Sequence, residues 1–242
     1  MEFNQIYNLN CLDGMDLLVD GCVDFVFADL PYGMTQNKWD AIIDFDSLWS
    51  RLNRVCKINA AMVFTAMQPF TSKLVNSNLS NFKYESVWVK NKSTGFLNAK
   101  KQPLRIHENV VVFYREQPVY NPQMTTGNKP VNSYTRKATN KRNYGKFVEQ
   151  SGGGSTTRYP TTVLEIPVVN NDNPGKFHPN QKPIELVEYF INTYTNPGYF
   201  VLDPTAGSGT TLVVAKKLSR HYIGYETDLD IFNKAKARIE AA

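Results

Sequence analysis

The sequence predicts an α/β protein built on a doubly wound, mostly parallel sheet. Short apolar runs such as 23–28 and 200–202 end at turn residues, which is the pattern of strands buried on both faces. These runs alternate with stretches of helical spacing such as 45–57, and such alternation favours a parallel sheet. At 242 residues the chain has the length of one such domain with a small insertion.

Seven strands are predicted, over residues 5–10, 23–28, 61–66, 84–89, 109–114, 200–202 and 221–225. Six helices are predicted, over residues 12–19, 45–57, 69–78, 184–194, 210–218 and 230–240. The strands at 84–89 and 109–114 are rich in aromatic and β-branched residues. In the helix at 45–57, the apolar residues recur at spacings of three and four.

The composition of the chain changes at residue 120. Residues 120–159 hold seven Lys or Arg and one acid, with many Asn, Thr, Gly and Pro, and apolar periodicity is lost. A loop-rich basic insertion is therefore predicted at 120–175, between a first part at 1–119 and a last part at 176–242. A solvated loop without a binding role is the alternative.

Charge and cysteine content narrow the classes of function. The net charge of +5 and the sequence pI near 9.0 are compatible with a nucleic-acid partner without requiring one. Cys11, Cys22 and Cys56 lie far apart, so neither a zinc site nor a disulfide framework is predicted, and no metal is expected. The first residues lack a basic and then apolar leader, and no apolar run approaches about 18 residues, so a cytoplasmic protein without a membrane partner is expected.

Residues 200–211 indicate a nucleotide-type site. A strand runs into Asp203, then into a turn of small residues with Gly207 and Gly209, and then into a helix. Glycine lets a backbone approach a ligand closely. Glu226 ends the next strand, 23 positions after Asp203, near the offset of an acid that holds ribose hydroxyls. An ordinary strand–turn–helix junction is the alternative.

The charges at this turn favour a cationic nucleotide. No lysine follows Gly209 as a phosphate-binding loop requires, and Leu212 stands where the dinucleotide fingerprint has its third glycine. The Asp203 carboxylate would repel pyrophosphate but suits a cation. S-adenosylmethionine carries a sulfonium and an amino group, so it matches these charges better than a dinucleotide does.

A second acid follows the strand at 23–28 and starts the run Asp29-Leu30-Pro31-Tyr32. This run resembles the Asp-Pro-Pro-Tyr motif of the amino-methyltransferases that act on DNA. Residues 203–211 resemble the cofactor loop of that family, usually Asp-Pro-Phe-x-Gly-Ser-Gly-Thr-Thr, and residues 178–183 (His-Pro-Asn-Gln-Lys-Pro) resemble the segment before it. The catalytic motif comes first, then the basic region, then the cofactor loop. This is the order of the β class, many of whose members come from restriction–modification systems and prophages.

The resemblance covers nearly the whole chain outside 120–175, and it implies a seven-stranded class I methyltransferase fold. Read from residue 200, the predicted elements run to residue 240 and continue at the N-terminal strand, so the fold would be a circular permutation of the usual cofactor-binding sheet. The implied contacts to S-adenosylmethionine are Asp203, Pro204, Ala206, Gly207, Ser208, Gly209, Thr210 and Glu226. Lys182 would lie near its methionine end. Asn10 and Cys11 would end the strand beside the one carrying Glu226, near the cofactor adenine.

Two positions depart from the family motifs. Leu30 replaces the first proline, which leaves the backbone carbonyl of residue 30 available, so the chemistry is expected to survive. Thr205 replaces the usual phenylalanine and removes an aromatic ring that packs near the cofactor in the family, which leaves the cofactor affinity open.

The resemblance implies transfer of a methyl group to the exocyclic amine of a base in DNA, with Asp29, Leu30, Pro31 and Tyr32 as the catalytic residues. The Asp29 carboxylate and the Leu30 carbonyl would accept hydrogen bonds from the amine and stabilise the positive charge that grows on its nitrogen. Tyr32 would stack on the base after its extrusion from the duplex, since such stacking is worth roughly 1–3 kcal/mol per base.

DNA, as the implied partner, is expected to meet two basic segments. The loop at 91–101, together with Arg105, would contact phosphates through Lys92, Lys100, Lys101 and Arg105. The insertion would contribute Arg136, Lys137, Lys141 and Arg142, and the sequence does not say which of these read bases. A homodimer and a cognate restriction nuclease are further candidate partners, and the sequence decides neither.

An acid at the first motif position favours N6 of adenine as the methyl acceptor over N4 of cytosine, which is the first alternative. Methylation of RNA or of a protein glutamine is the second, although those enzymes usually carry Asn-Pro-Pro-Tyr in the reverse motif order. A DNA-binding module without catalysis is the third, and it leaves both strand-end acids unexplained.

Overall fold

The computed structural model describes residues 1–34, 40–138, 148–170, 172, 175–178 and 180–242. The chain forms two compact units. The larger joins Met1–Asn121 with Thr162–Ala242, and the smaller is Pro122–Thr161. Within the described ranges, no helix is long and apolar enough to cross a membrane.

The described residues form ten strands: β1 (Gln5–Tyr7), β2 (Val23–Ala28), β3 (Cys56–Ala66), β4 (Phe82–Thr94), β5 (Arg105–Phe113), β6 (Tyr134–Arg136), β7 (Gln150–Gly152), β8 (Val163–Glu165), β9 (Phe200–Asp203) and β10 (His221–Tyr225). The same residues form six α-helices: α1 (Cys11–Asp16), α2 (Phe45–Val55), α3 (Phe70–Ser77), α4 (Ile184–Tyr194), α5 (Thr210–Lys217) and α6 (Leu229–Glu240).

Eight strands of the larger unit form one sheet in the order β1-β10-β9-β2-β3-β5-β4-β8. The first five run parallel, β5 is antiparallel to both of its neighbours, and β8 is parallel to β4. The predicted doubly wound, mostly parallel sheet is confirmed, with one strand more than the seven predicted. The extra strand β8 has three residues, of which only Leu164 is buried, so it is too short to produce a periodic signal.

The sheet is buried on both faces because successive side chains of a strand point to opposite sides. On β2, Val26 and Ala28 belong to one hydrophobic cluster, together with residues of α1, α2 and α3. Phe25 and Phe27 belong to a second cluster, together with residues of α4 and α5. Helices on both faces explain why β2 is a continuous apolar run in the sequence.

The direction of the chain crossovers changes between β9 and β2. From β9 the chain passes through α5 to β10 on one side, and from β2 it passes through α2 to β3 on the other. Val26 of β2 pairs with Leu202 of β9, so Asp29 and Asp203, which follow this pair, lie at the same carboxyl edge. Ligands of open α/β sheets bind at such a switch point.

The N-terminal strand β1 pairs in parallel with β10, as expected for the circular permutation. The strand predicted at 5–10 ends at Tyr7, because the Asn10 side chain accepts a hydrogen bond from the Leu12 N–H at 2.9 Å and so caps α1. The prediction that Asn10 and Cys11 end this strand is therefore wrong, since Asn10 is the cap and Cys11 the first residue of α1.

The smaller unit contains the antiparallel pair of β6 and β7 and a bridge between Thr125 and Arg158. Every residue of β6 and β7 is exposed. The Arg158 guanidinium donates to three backbone carbonyls of the same unit and so holds its loops together. The predicted insertion at 120–175 is longer than this unit, because residues 162–175 belong to the larger unit and include β8.

Candidate active site

The residues after β2 and after β9 line one cavity of about 940 Å³ at the carboxyl edge of the sheet. Asp203 ends β9, and Asp29, Leu30 and Pro31 follow β2. The Thr205 hydroxyl donates to the backbone carbonyl of Asp29 at 3.1 Å, so the two turns are in direct contact. The threonine that replaces the family phenylalanine therefore joins the two predicted motifs.

The turn after β9 is shaped by two glycines in the left-handed region, Gly207 at φ +49° and Gly209 at φ +72°. The Gly207 N–H donates to Oε2 of Glu226 at 3.0 Å, which binds the turn to the end of β10. Gly209 packs against α6, where a Cβ would lie 3.1 Å from the Ile239 side chain. Gly207 thus faces the cavity, whereas Gly209 supports the wall from behind.

Asp203 is 3 % exposed, and its Oδ1 accepts a hydrogen bond from the Thr205 N–H at 3.1 Å. Burial raises the pKa of this carboxyl to about 7, although hydrogen bonds from Thr211 and Thr205 lower it. A nearby positive charge would stabilise the ionised form and bring the pKa down. The surroundings of Asp203 therefore favour a cationic ligand.

Glu226 lies across the turn from Asp203. Its carboxylate accepts from the N–H groups of Gly207 and Asp228, and burial raises its pKa. Cys11 also lines the cavity, and burial raises the pKa of its thiol to about 11, so the thiol is neutral. Five more of the predicted cofactor residues belong to the cavity wall: Asn10, Pro204, Ala206, Ser208 and Thr210.

Three side chains hold the Asp29 carboxylate. Its Oδ1 accepts from the hydroxyls of Tyr32 at 2.7 Å and Thr65 at 2.5 Å. Its Oδ2 accepts from Nζ of Lys182 at 2.6 Å. Thr65 of β3 was not predicted as a site residue, and its only signal in the sequence is a hydroxyl inside an otherwise apolar strand end.

Tyr32 reaches Asp29 because its ring lies against Phe70 of α3, with ring centroids 4.9 Å apart and planes 28° apart. Burial raises the pKa of Tyr32 well above its usual value, and the charges of Asp29 and Glu108 add to this. The phenol is therefore a stable hydrogen-bond donor to Asp29. Phe70 therefore covers one face of the Tyr32 ring.

Asp40 holds the backbone of the loop that follows Tyr32. Its Oδ1 accepts from the N–H groups of Tyr32 and Gly33 at 2.8 and 2.9 Å, and its Oδ2 accepts from that of Met34 at 2.9 Å. Asp40 is 7 % exposed, so these charge-assisted hydrogen bonds form away from water. The sequence analysis did not identify this residue, because an acid in a loop has no distinguishing pattern.

Lys182 contacts both motifs. Its ammonium donates to Asp29, and its backbone carbonyl accepts from the Thr210 hydroxyl at 3.4 Å. Burial lowers the pKa of Lys182, but the carboxylates of Asp29 and Glu108 more than offset this, so its pKa is raised and the ammonium is charged. The charged end of the residue predicted to lie near the cofactor is thus bound to the predicted catalytic acid.

A second buried carboxylate, Glu108 of β5, lines the same cavity and is 7 % exposed. Its Oε1 accepts from the ammonium of Lys90. Its Oε2 is buried, has no hydrogen bond among the described residues, and lies 3.7 Å from Nζ of Lys182. The sequence analysis missed Glu108 and Lys90, since neither belongs to a motif.

Residues 23–237 match the family model of the N6/N4 DNA methylases. The chain belongs to this family. It is 25 % identical to the type II methyltransferase M1.MboII of Moraxella bovis, over 97 % of this chain and 96 % of the relative. A shorter stretch of 79 residues is 42 % identical to the type II methyltransferase M.HindIII of Haemophilus influenzae, and it covers 33 % of this chain and 25 % of that protein.

Solved structures share the fold of this methylase. The M1.HpyAVI–SAM complex has a TM-score of 0.66 at 23 % identity, over 97 % of this chain and 98 % of that chain. The cytosine-N4-specific PvuII DNA methyltransferase has a TM-score of 0.69 at 14 % identity, over 98 % and 90 %. TTHA0409 of Thermus thermophilus, complexed with S-adenosyl-L-methionine, has a TM-score of 0.60 at 17 % identity, over 98 % and 94 %.

The predicted DNA contacts of the methylase fall in both units. In the larger unit, Lys92 lies in the cavity wall, Lys100 and Lys101 are exposed, and Arg105 is half-buried with a hydrogen bond to Met67 Sδ at 3.3 Å. In the smaller unit, two predicted contacts are exposed: Arg136 and Lys137. The other two, Lys141 and Arg142, lie outside the described residues.

Proposed function

We propose that this DNA methyltransferase transfers the methyl group of S-adenosylmethionine to the exocyclic N6 of an adenine extruded from DNA. One observation carries the proposal: the Asp29 carboxylate, bound by Tyr32, Thr65 and Lys182, shares one cavity with the glycine turn after Asp203. An oriented, half-buried carboxylate beside a cofactor turn is suited to accept hydrogen bonds from an amine that approaches a methyl donor.

S-adenosylmethionine is the cofactor of this family, and it supplies the methyl group when bound. The residues present fit it, because the Asp203 carboxyl, with a pKa of about 7, gains from a cation, and Gly207 leaves room for the backbone to approach a ligand. Glu226 would accept hydrogen bonds from the ribose hydroxyls. A cavity of about 940 Å³ lies at the upper end of the roughly 300–1,000 Å³ of ligand sites, which leaves room for a base beside the cofactor.

The amine of the target base is a weak nucleophile, because its lone pair is delocalised into the ring. The Asp29 carboxylate and the Leu30 carbonyl would accept hydrogen bonds from the two N–H groups of the amine. This favours a pyramidal nitrogen with the lone pair out of the ring plane. The same two acceptors would stabilise the positive charge that develops on this nitrogen. The proposed mechanism uses Asp29 as a hydrogen-bond acceptor and does not require it to take the proton before transfer.

Adenine is proposed as the target because the motif begins with an acid, Asp29, where serine would favour cytosine. The motif order supports placement in the β class. N4 of cytosine is the second candidate, and the cytosine-N4-specific PvuII enzyme, with a TM-score of 0.69, favours it. The amines of adenine and of cytosine would both donate N–H groups to Asp29. The choice between the two bases therefore depends on the shape of the base pocket.

Nucleoside analysis of DNA from a host that expresses the chain, and otherwise lacks DNA methylation, tests this proposal. N6-methyladenine is the expected product, and mapping its positions gives the recognition sequence. Detection of N4-methylcytosine without N6-methyladenine would contradict adenine as the target and support cytosine N4. Transfer of labelled methyl to RNA or protein but not to DNA, or no transfer at all, would contradict both.

The proposal also includes a second copy of the chain as a partner. It includes a cognate restriction nuclease as well, since the relatives M1.MboII and M.HindIII carry the type II designation. Light scattering of the purified protein tests the first, with a dimer mass as the expected result. Protection of the methylated host DNA against a nuclease that cuts the mapped sequence tests the second.

A further inference from the structure

The connection between β4 and β5 carries a concentration of positive charge. Between Glu85 and Glu108 the sequence contains no acid, and it contains five cations, Lys90, Lys92, Lys100, Lys101 and Arg105. Lys90 is neutralised by Glu108, but Lys92, Lys100 and Lys101 are exposed. A surface of this composition is complementary to a polyanion.

The tip of this connection presents two adjacent apolar side chains to water. Phe96 is 81 % exposed and Leu97 is 98 % exposed. Both lie in the 3-10 turn Phe96–Asn98, which follows Gly95 at φ +87°. Isolated exposed apolar residues are common on protein surfaces. Two neighbouring ones at a tip, within five positions of Lys92, Lys100 and Lys101, are suited to enter an apolar layer beneath a charged surface.

The sheet places this tip beside the cavity. Because β4 and β3 are both antiparallel to β5, β4 runs parallel to β3 and ends at the carboxyl edge, where Asp29 lies. Lys92, Ser93 and Thr94, at the end of β4, line the cavity itself. The tip therefore begins directly after the cavity wall, next to the place where a base would enter.

We propose that Phe96 and Leu97 form a wedge that enters the DNA stack beside the target base, while Lys92, Lys100 and Lys101 contact the flanking phosphates. This inference rests on the proposed DNA substrate. Extrusion of a base leaves a gap between its neighbours, and apolar side chains that fill such a gap offset the lost stacking. The lysines supply the salt-dependent attraction that holds the tip against the duplex.

The test compares methyl transfer to a paired and to a mismatched duplex, both containing the sequence mapped in the host. The wedge variant is F96S/L97S. We expect its kcat/KM on the paired duplex to fall about tenfold or more, because the wedge assists extrusion. On a duplex with the target base mismatched, the loss should shrink to about threefold or less, since a mismatched base is already easier to extrude.

The matched control is V19S/L79S, which removes two other exposed apolar side chains, 76 % and 64 % exposed, that precede β2 and β4 at the opposite edge of the sheet. This control should retain the wild-type rate on both duplexes. Unchanged binding of S-adenosylmethionine and an unchanged Tm will show that F96S/L97S is folded.

Three results would overturn the wedge. One is an equal loss of kcat/KM on paired and mismatched duplexes, and another is no loss on either. The third is conversion of a wild-type dimer into a monomer by F96S/L97S, which would make the tip a contact between copies. A wild-type protein that transfers no methyl to DNA would instead remove the proposed function, and the wedge with it.

Discussion

The ammonium of Lys182 lies 2.6 Å from Oδ2 of Asp29, inside the cavity proposed to bind the target amine. This ion pair takes up part of the hydrogen-bonding capacity of the oxygen that would accept the amine N–H in the proposed mechanism. We therefore expect Lys182 to shift when the base enters. The buried Oε2 of Glu108, 3.7 Å from the same ammonium and without a hydrogen bond among the described residues, is placed to receive it.

Loss of the Glu108 charge should therefore slow the chemical step. Glu108→Gln alone would leave Lys90 unpaired in a buried position, so the change is made as K90Q/E108Q and compared with K90Q. We expect kcat to fall about tenfold relative to K90Q, with KM for DNA unchanged, because Lys182 then stays on Asp29. Single-turnover methyl transfer measures this.

The same comparison in a K182Q background serves as the control. In the K182Q background, the K90Q/E108Q variant and the K90Q variant should have the same kcat, because Glu108 acts through Lys182. Equal additional losses with and without Lys182 would assign Glu108 a direct contact to the substrate instead.

Asp29→Asn should abolish methyl transfer while the protein still binds its cofactor. The substitution keeps the size of the side chain but removes the charge that stabilises the developing cation, so we expect kcat to fall about 1,000-fold or more. Transfer of labelled methyl to host DNA measures the loss, and calorimetric titration with S-adenosylmethionine measures retained binding. A D29N protein with kcat within about tenfold of wild type would remove Asp29 from the mechanism.

Asp40→Asn should lower methyl transfer through the loop that carries Tyr32. An amide retains one acceptor oxygen where three N–H groups are now bound, and each hydrogen bond to a charged group is worth about 1.5–3 kcal/mol. We expect kcat to fall about tenfold or more, with cofactor affinity preserved.

Asp24→Asn is the matched control for Asp40, since Asp24 also accepts from a backbone N–H, that of Phe200 at 2.9 Å, but lies at the start of β2, at the edge of the sheet opposite the cavity. This variant should behave as wild type in both assays. A D40N protein that matches D24N in kcat would show that the loop is positioned without Asp40.

The affinity for S-adenosylmethionine should rise as the pH increases through about 7. Burial raises the pKa of Asp203 to about 7, and binding of a cation favours the ionised carboxylate, so binding is weakened at lower pH where the carboxyl is protonated. Between about pH 6 and 8 we expect the Asp203 contribution to strengthen binding roughly tenfold. Calorimetric titrations across this range measure it.

Asp203→Asn separates this effect from titration of the cofactor's own amino group, because only the pH dependence that disappears in D203N belongs to Asp203. The folded-state pKa is raised, so in the free protein Asp203 stabilises the fold below about pH 4 and this contribution is lost as the pH rises through about 7. The Tm of D203N minus the Tm of wild type should therefore be larger at about pH 8 than at about pH 5. A wild-type affinity that is as flat with pH as that of D203N would contradict the role of Asp203.

The two acids of the motifs could be predicted from the sequence because each belongs to a local pattern of residues. Asp29 and Asp203 each follow a continuous apolar run, and such runs are buried parallel strands whose carboxyl ends share an edge. Strand type, helix positions and the meeting of these two acids therefore follow from periodicity and motif spacing. The cap at Asn10 was misassigned, since a strand end and a helix start are separated by only a few residues and boundary signals are weak there.

Two partners of Asp29, Thr65 and Lys182, could not be read in the same way, because they come from segments that are neighbours only in space. Thr65 of β3 and Lys182, which is 153 positions from Asp29, meet it through the strand order, and Glu108 joins them because β5 lies between β3 and β4. Strand order is selected by the burial of both sheet faces over the whole chain, a sum over many contacts that no local window contains. The charges around Asp29 are therefore decided by tertiary packing, whereas Asp29 itself belongs to a motif that the sequence shows.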